Sequence, residues 1–205
     1  MFNNGETKMG NAEQTTELIL QTAETLILES DGDAEQVTIR QIAERANISI
    51  GLVNYYFSSK AKLIEACVQR MIGGVVGSFV PKLPPDAGKA ERLGKVAAQV
   101  ADYLDKHPQI SRISILGDLN APSVCDNTMG TAHGFSKTVS PECEDADTMI
   151  RSFCLTAILQ SAFLRKDMLK SCIGVDWADE AQREAFLLRV SGWLLSGQQE
   201  NASVE

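Results

Sequence analysis

Asn54, Tyr55 and Tyr56 stand in a row inside a stretch, 37–64, that is basic in an otherwise acidic chain. Between residues 36 and 70 lie Arg40, Arg45, Lys60, Lys62 and Arg70 against Glu44 and Glu65, a local charge of +3. Residues 1–35 carry −7 and residues 71–205 carry −4, for a net charge of −8. These residue types suit the reading of a nucleic-acid duplex. The Asn54 side chain offers a donor and an acceptor that match the edge of adenine, and Ile50 or Leu52 can touch a thymine methyl. Gly51 lets the backbone come close. Tyr55 and Tyr56 are rigid, with hydroxyls that reach phosphates. The "SSK" at 58–60 opens a further helix, whose free amides and dipole join Lys60 in favouring a phosphate. A small positive footprint on a repelling body implies weak non-specific attraction and reliance on specific contacts.

The elements that must position these groups follow from the same stretch. Thr38 is a good N-cap for a helix over 39–46 that buries Ile42, Ala43 and Ala46. Asn47 falls where the chain must turn sharply, and asparagine tolerates the left-handed backbone region. Ile48 plugs the core and Ser49 caps a second short helix over 50–57. Val53 and Phe57, four residues apart, face inward, which leaves Ile50, Gly51, Asn54 and Tyr55 outward. This is a helix, a three-residue turn and a helix, the arrangement that lays a second helix in the major groove.

The pattern T-x-x-x-I-A-x-x-A-x-[IV]-S-x-G-x-[LIV]-x-x-Y-F-x-x-K-x-x-L, met from Thr38 to Leu63, resembles the TetR (tetracycline-repressor) family of transcriptional regulators. The resemblance covers about residues 14–66. It implies an all-α chain with an N-terminal three-helix helix-turn-helix domain, followed by a helical ligand-binding and dimerisation domain. It also implies that the chain regulates transcription, as a repressor in the family's usual mode, and that a small-molecule effector releases a homodimer from palindromic double-stranded operator DNA. By the same resemblance Thr38, Tyr56 and Lys60 would meet phosphates, and Arg40 and the outward face of 49–55, with Ser49, would meet bases. Three departures stand out: Asn54 where tyrosine is commonest, Asn47 for the usual turn glycine, and a spacer from Gly32 to Thr38 about one residue longer than usual. The first helix is acidic and lacks a basic arm.

No catalytic constellation accompanies this stretch. "GKAERLGKV" (88–96) has five residues between its glycines and a valine after the lysine, so it fails the phosphate-loop pattern. There is no H-E-x-x-H and no G-x-S-x-G. The two histidines, His107 and His133, read as a helix-end residue and a loop residue. No enzyme activity, metal or cofactor is therefore expected. Five cysteines occupy positions 67, 125, 143, 154 and 172, an odd count without C-x-x-C, as in reduced thiols. The alternative from another class is an all-helical, cysteine-based redox sensor or enzyme using Cys125, Cys143 or Cys172, with Cys125, His133 and Cys143 sharing one loop-like region. The N-terminus lacks the apolar core of a signal peptide, and "MIGGVVGSFV" (71–80) is too short to span a bilayer, so no membrane partner and a cytoplasmic location are expected.

Across the rest of the chain, with 44% apolar residues, strand-like alternation never lasts. Helices are expected over 12–30, 89–106, 109–119, 144–169 and 178–196, with 121–143 as the least ordered-looking region. The glycine- and proline-rich stretch 73–88 divides a DNA-binding domain, 12–72, from an effector-binding and dimerisation domain, 73–205, and Gly73, Gly74 and Gly77 would form a flexible joint. Tyr103, Ile113, Leu116, Met149, Phe153, Gln160 and Phe163 are candidates to line an effector pocket. Ser152, Thr156 and Gln160 hint at a wet or ligand-facing side. The helix over 144–169 is apolar nearly all round and must be covered on most sides. With the helix over 178–196 it would form a four-helix dimer interface, Phe186 and Val190 pointing outward.

Overall fold

The computed structural model describes residues 4–30, 32–73, 86–142 and 145–196. These form ten α-helices and, among the described residues, no strand: α1 (Asn4–Glu29), α2 (Ile39–Arg45), α3 (Ile50–Tyr56), α4 (Lys60–Gly73), α5 (Lys89–Lys106), α6 (Pro108–Asn120), α7 (Asn127–Val139), α8 (Ala146–Leu164), α9 (Lys166–Ile173) and α10 (Glu180–Leu195). Two compact units emerge. The first joins Met1–Ile72 to Gln109–Ser114; the second joins Gly73–Pro108 to Ile115–Glu205. Gly74 and Gly77 of the expected joint lie outside the described residues.

In the first unit, α1 begins earlier than its apolar stripe suggested. Ile19, Ala23 and Ile27 recur at four-residue intervals and are buried, and Gly32 closes the helix in the left-handed region (φ 82°), donating to the Ile27 carbonyl. α2 buries Ile42 and Ala43, and α4 buries Leu63, Ile64, Cys67 and Val68. Arg70 of α4 forks onto Glu24 of α1, with Glu17 beside it, which ties the two longest helices of the unit together.

In the second unit, α5 lies against α7, α8 and α10 around a core that includes Leu93, Phe135, Leu155, Leu159, Trp177 and Leu187. Gly94 permits the closest approach: a Cβ there would meet the Leu188 Cα at 2.9 Å. Buried Arg183 of α10 reaches Asp102 of α5 and the Trp177 carbonyl. Arg151 of α8 donates to the Leu194 carbonyl in the last turn of α10.

Three expectations are corrected. Within 121–143 a regular helix, α7, carries His133, so this histidine is not in a loop. Asp126 caps it through the Met129 amide, and Ala132, Phe135 and Val139 bury one face. The helix expected over 144–169 is broken at Arg165 (φ −114°, ψ 14°), where Lys166 is held by Asp105 of α5 at 2.7 Å. Val190 is only 4% exposed, and half-buried Phe186 meets Trp177 edge-on, so these side chains pack inward rather than outward.

Candidate nucleic-acid interface

The local chemistry of the turn builds α3, the candidate reading helix. Thr38 accepts from the Gln41 amide while the Gln41 side chain accepts from the Thr38 amide, a reciprocal box that fixes the start of α2. Asn47 sits at φ 54°, the only described non-glycine residue at positive φ, and its amide still donates to the Glu44 carbonyl. The Ile48 amide then bonds back to Ala43, and the Ser49 hydroxyl accepts from the Leu52 amide to cap α3. Its own proton remains available for an outside acceptor.

Burial fixes which face of α3 looks out. Val53 is fully buried, whereas Ile50, Gly51, Asn54 and Tyr55 are exposed, Tyr55 by 80%. Leu52, Tyr56 and Phe57 are half-buried, and the Tyr55 and Tyr56 rings meet edge-on at 5.3 Å. The face therefore presents a carboxamide, a bare backbone patch, an isoleucine and a phenol on one rigid element. That set can read the edges of base pairs in a groove wide enough for a helix.

Charge around the face is arranged differently from the simple sum. The Arg40 Nε donates to Glu44 Oε1 at 2.8 Å along α2, and this bond raises the guanidinium pKa further. Lys60 Nζ donates to the Glu35 carbonyl at 2.8 Å and lies 3.6 Å from the Glu35 carboxylate. Arg45 forks onto Glu29, whose carboxyl is held below its ordinary range by that bond. Lys62 pairs with Glu65. The residues that sequence reasoning missed are thus these carboxylates. Only the helical spacings of Arg40 with Glu44 and of Lys62 with Glu65 could have signalled a pair.

The seven candidate effector residues are not brought into one cluster. Ile113 belongs to the first unit, and Leu116 and Phe153 are exposed. Tyr103 is half-buried against the second core and rests on His107, ring centroids 4.6 Å apart. Phe163 is part of that core, under Lys166. Met149 is half-buried on α8. Ser152 and Thr156 are buried but bond to the carbonyls of Thr148 and Ser152 in their own helix, so they are satisfied without a ligand or water. Gln160 donates to the Thr128 hydroxyl, which donates to buried Asp118, a polar bridge from α8 through α7 to α6. Cys67 is buried, and burial pushes its thiol up to about 12; Cys125 and Cys172 are exposed, and Cys143 lies outside the described residues. Among the described residues no three His, Cys, Asp or Glu side chains are placed to hold a metal, and no helix is long and apolar enough to cross a membrane.

Comparison with known proteins agrees with this geometry. The family described as bacterial regulatory proteins, tetR family, matches residues 19–67. The HTH-type transcriptional repressor KstR of Rhodococcus jostii is 28% identical over 106 residues, 50% of this chain and 49% of that protein. The nucleoid occlusion factor SlmA of Actinobacillus pleuropneumoniae is 27% identical over 95 residues, 45% of this chain and 47% of that protein. The chain thus spans about half the length of these two relatives. A crystal structure of a TetR transcriptional regulator from Rhodococcus sp. RHA1 shares the fold, with a TM-score of 0.60 and 19% identity over 93% of this chain and 98% of that one.

Proposed function

We propose that this TetR-family transcriptional regulator is a cytoplasmic repressor that binds a palindromic operator as a homodimer and leaves it when a small molecule binds. In this reading residues 12–72 read DNA, and residues 73–205 hold the effector and the dimer contact. The observation that carries it is the outward set Ile50, Gly51, Asn54 and Tyr55 on a helix anchored by buried Val53. Thr38, Ser49, Leu52, Tyr56, Arg40 and Lys60 border that set and supply further hydroxyl, apolar and cationic contacts. The likeness to a transcriptional repressor supports repression.

Dimerisation is supported by apolar side chains that this chain leaves uncovered. Ile150, Phe153 and Ala157 are exposed on the side of α8 opposite its buried face, and Trp193 of α10 is 68% exposed. Two-fold pairing of such helices covers both copies at once and matches the symmetry of a palindrome. An effector releases DNA only if it binds the released state more tightly, and DNA must then weaken the effector by the same factor.

Selection of bound duplexes from a random pool tests the reading. The expected result is a two-fold symmetric site with half-sites about one helical turn apart. A bound population without symmetry would remove the dimeric-operator reading, and no enrichment at all would remove DNA recognition itself.

A further inference from the structure

We propose that the DNA-reading unit is self-masked: Glu44 and Glu35 are built-in competitors that hold Arg40 and Lys60 against DNA phosphates and so suppress attraction to DNA of any sequence. The inference rests on the DNA-binding reading above.

All five basic side chains between residues 36 and 70 are engaged by carboxylates. Two of these pairs knit helices together: Arg45 binds Glu29 across 16 residues and Arg70 binds Glu24 across 46. Lys62 pairs within its own helix with Glu65. The remaining two cations, Arg40 near the start of α2 and Lys60 at the start of α4, flank the reading helix in sequence. Glu44, one turn along α2, accepts from Arg40. Lys60 donates to the main-chain carbonyl of Glu35 in the loop before α2, with the Glu35 carboxylate 3.6 Å away. Neither carboxylate ties two helices together. The Glu35 carboxylate is almost fully exposed, so nothing in the fold requires its charge. An intramolecular carboxylate occupies the cation that a phosphate would use. It also stays beside that phosphate after exchange, and so lowers the number of counterions released. Contacts from the α3 face carry no net charge and are untouched. The unit therefore trades general affinity for discrimination.

The test uses the full chain with a selected operator duplex and an unrelated duplex of the same length, over a range of salt. Glu44→Gln should raise affinity for the unrelated duplex by about two- to fivefold, as for an exposed pair. Glu35→Gln should raise it by less, because the carbonyl that accepts from Lys60 stays. Each should also steepen the slope of log affinity against log salt by about 0.9. Operator affinity should rise by less, so the ratio of specific to non-specific binding falls. In an Arg40→Gln background, Glu44→Gln should bring no such gain. A gain of full size in that background would make Glu44 a merely repelling charge and overturn the proposal, as would unchanged slopes in both variants. Failure of the wild type to enrich any site would instead strike the DNA-binding reading.

Discussion

Asn47 holds the turn between α2 and α3 in the left-handed region, where a β-branched side chain meets the following carbonyl. Asn47→Val should cost about 1–2 kcal/mol, while Asn47→Gly should be close to neutral, as read from thermal melts. The turn was legible in the sequence because its chemistry is local: Thr38 and Ser49 cap within three residues of themselves, and Val53 buries itself by helical spacing. The partners of Lys60 and Arg45 were not legible. Glu35 and Glu29 meet them across 25 and 16 residues, and no periodicity encodes that approach. Cysteine chemistry gives a second test at this scale. With its thiol pushed up to about 12 by burial, Cys67 is protonated near neutral pH and should resist alkylation until the chain unfolds, whereas exposed Cys125 and Cys172 should react in the native protein. If alkylating those two left DNA binding unchanged, the cysteine-sensor alternative would lose its support.

Helices with long apolar stripes, such as α1, α5 and α10, were readable from spacing, and α5 was expected with the bounds it has. α7 was not, because Gly130, Gly134 and several polar residues dilute a stripe made only of Ala132, Phe135 and Val139. The break between α8 and α9 at Arg165 was hidden as well, since no glycine or proline marks it in the sequence. Glycines divide by what surrounds them. Gly94→Ala would place a Cβ 2.7 Å from Leu188 Cδ2 and 2.9 Å from its Cα, so α5 and α10 must part, at a cost of about 1–3 kcal/mol. Gly134→Ala in α7 meets nothing within 4 Å and should stabilise by up to about 1 kcal/mol. Caps set the acid response. Asp145 is held below its ordinary range by the Thr148 amide, Asp179 by the Gln182 amide and Asp176 by Lys170. Because their folded values are lowered, their contribution is complete above the ordinary carboxylate pKa and is lost as pH falls through the lowered values. Melting temperature should therefore hold above about pH 5 and decline below about pH 4.

For the whole molecule, the proposed reading has a second copy covering the uncovered apolar side chains and the carboxylate-paired cations making the approach to DNA selective. Phe153→Glu and Trp193→Glu should shift sedimentation from dimer to monomer with the fold intact. Val190→Glu should instead lower the melting temperature, because that side chain is in the core. A wild type that sediments as a monomer at micromolar concentration would remove the dimer. The central claim is that α3 reads bases through its outward face, and the most direct test measures wild type and Asn54→Ala against every single-base variant of the selected site. The account predicts that Asn54→Ala loses about 1–3 kcal/mol on the preferred site and stops discriminating at one position, repeated symmetrically in both half-sites. A variant that keeps the full wild-type preference at every position would contradict it.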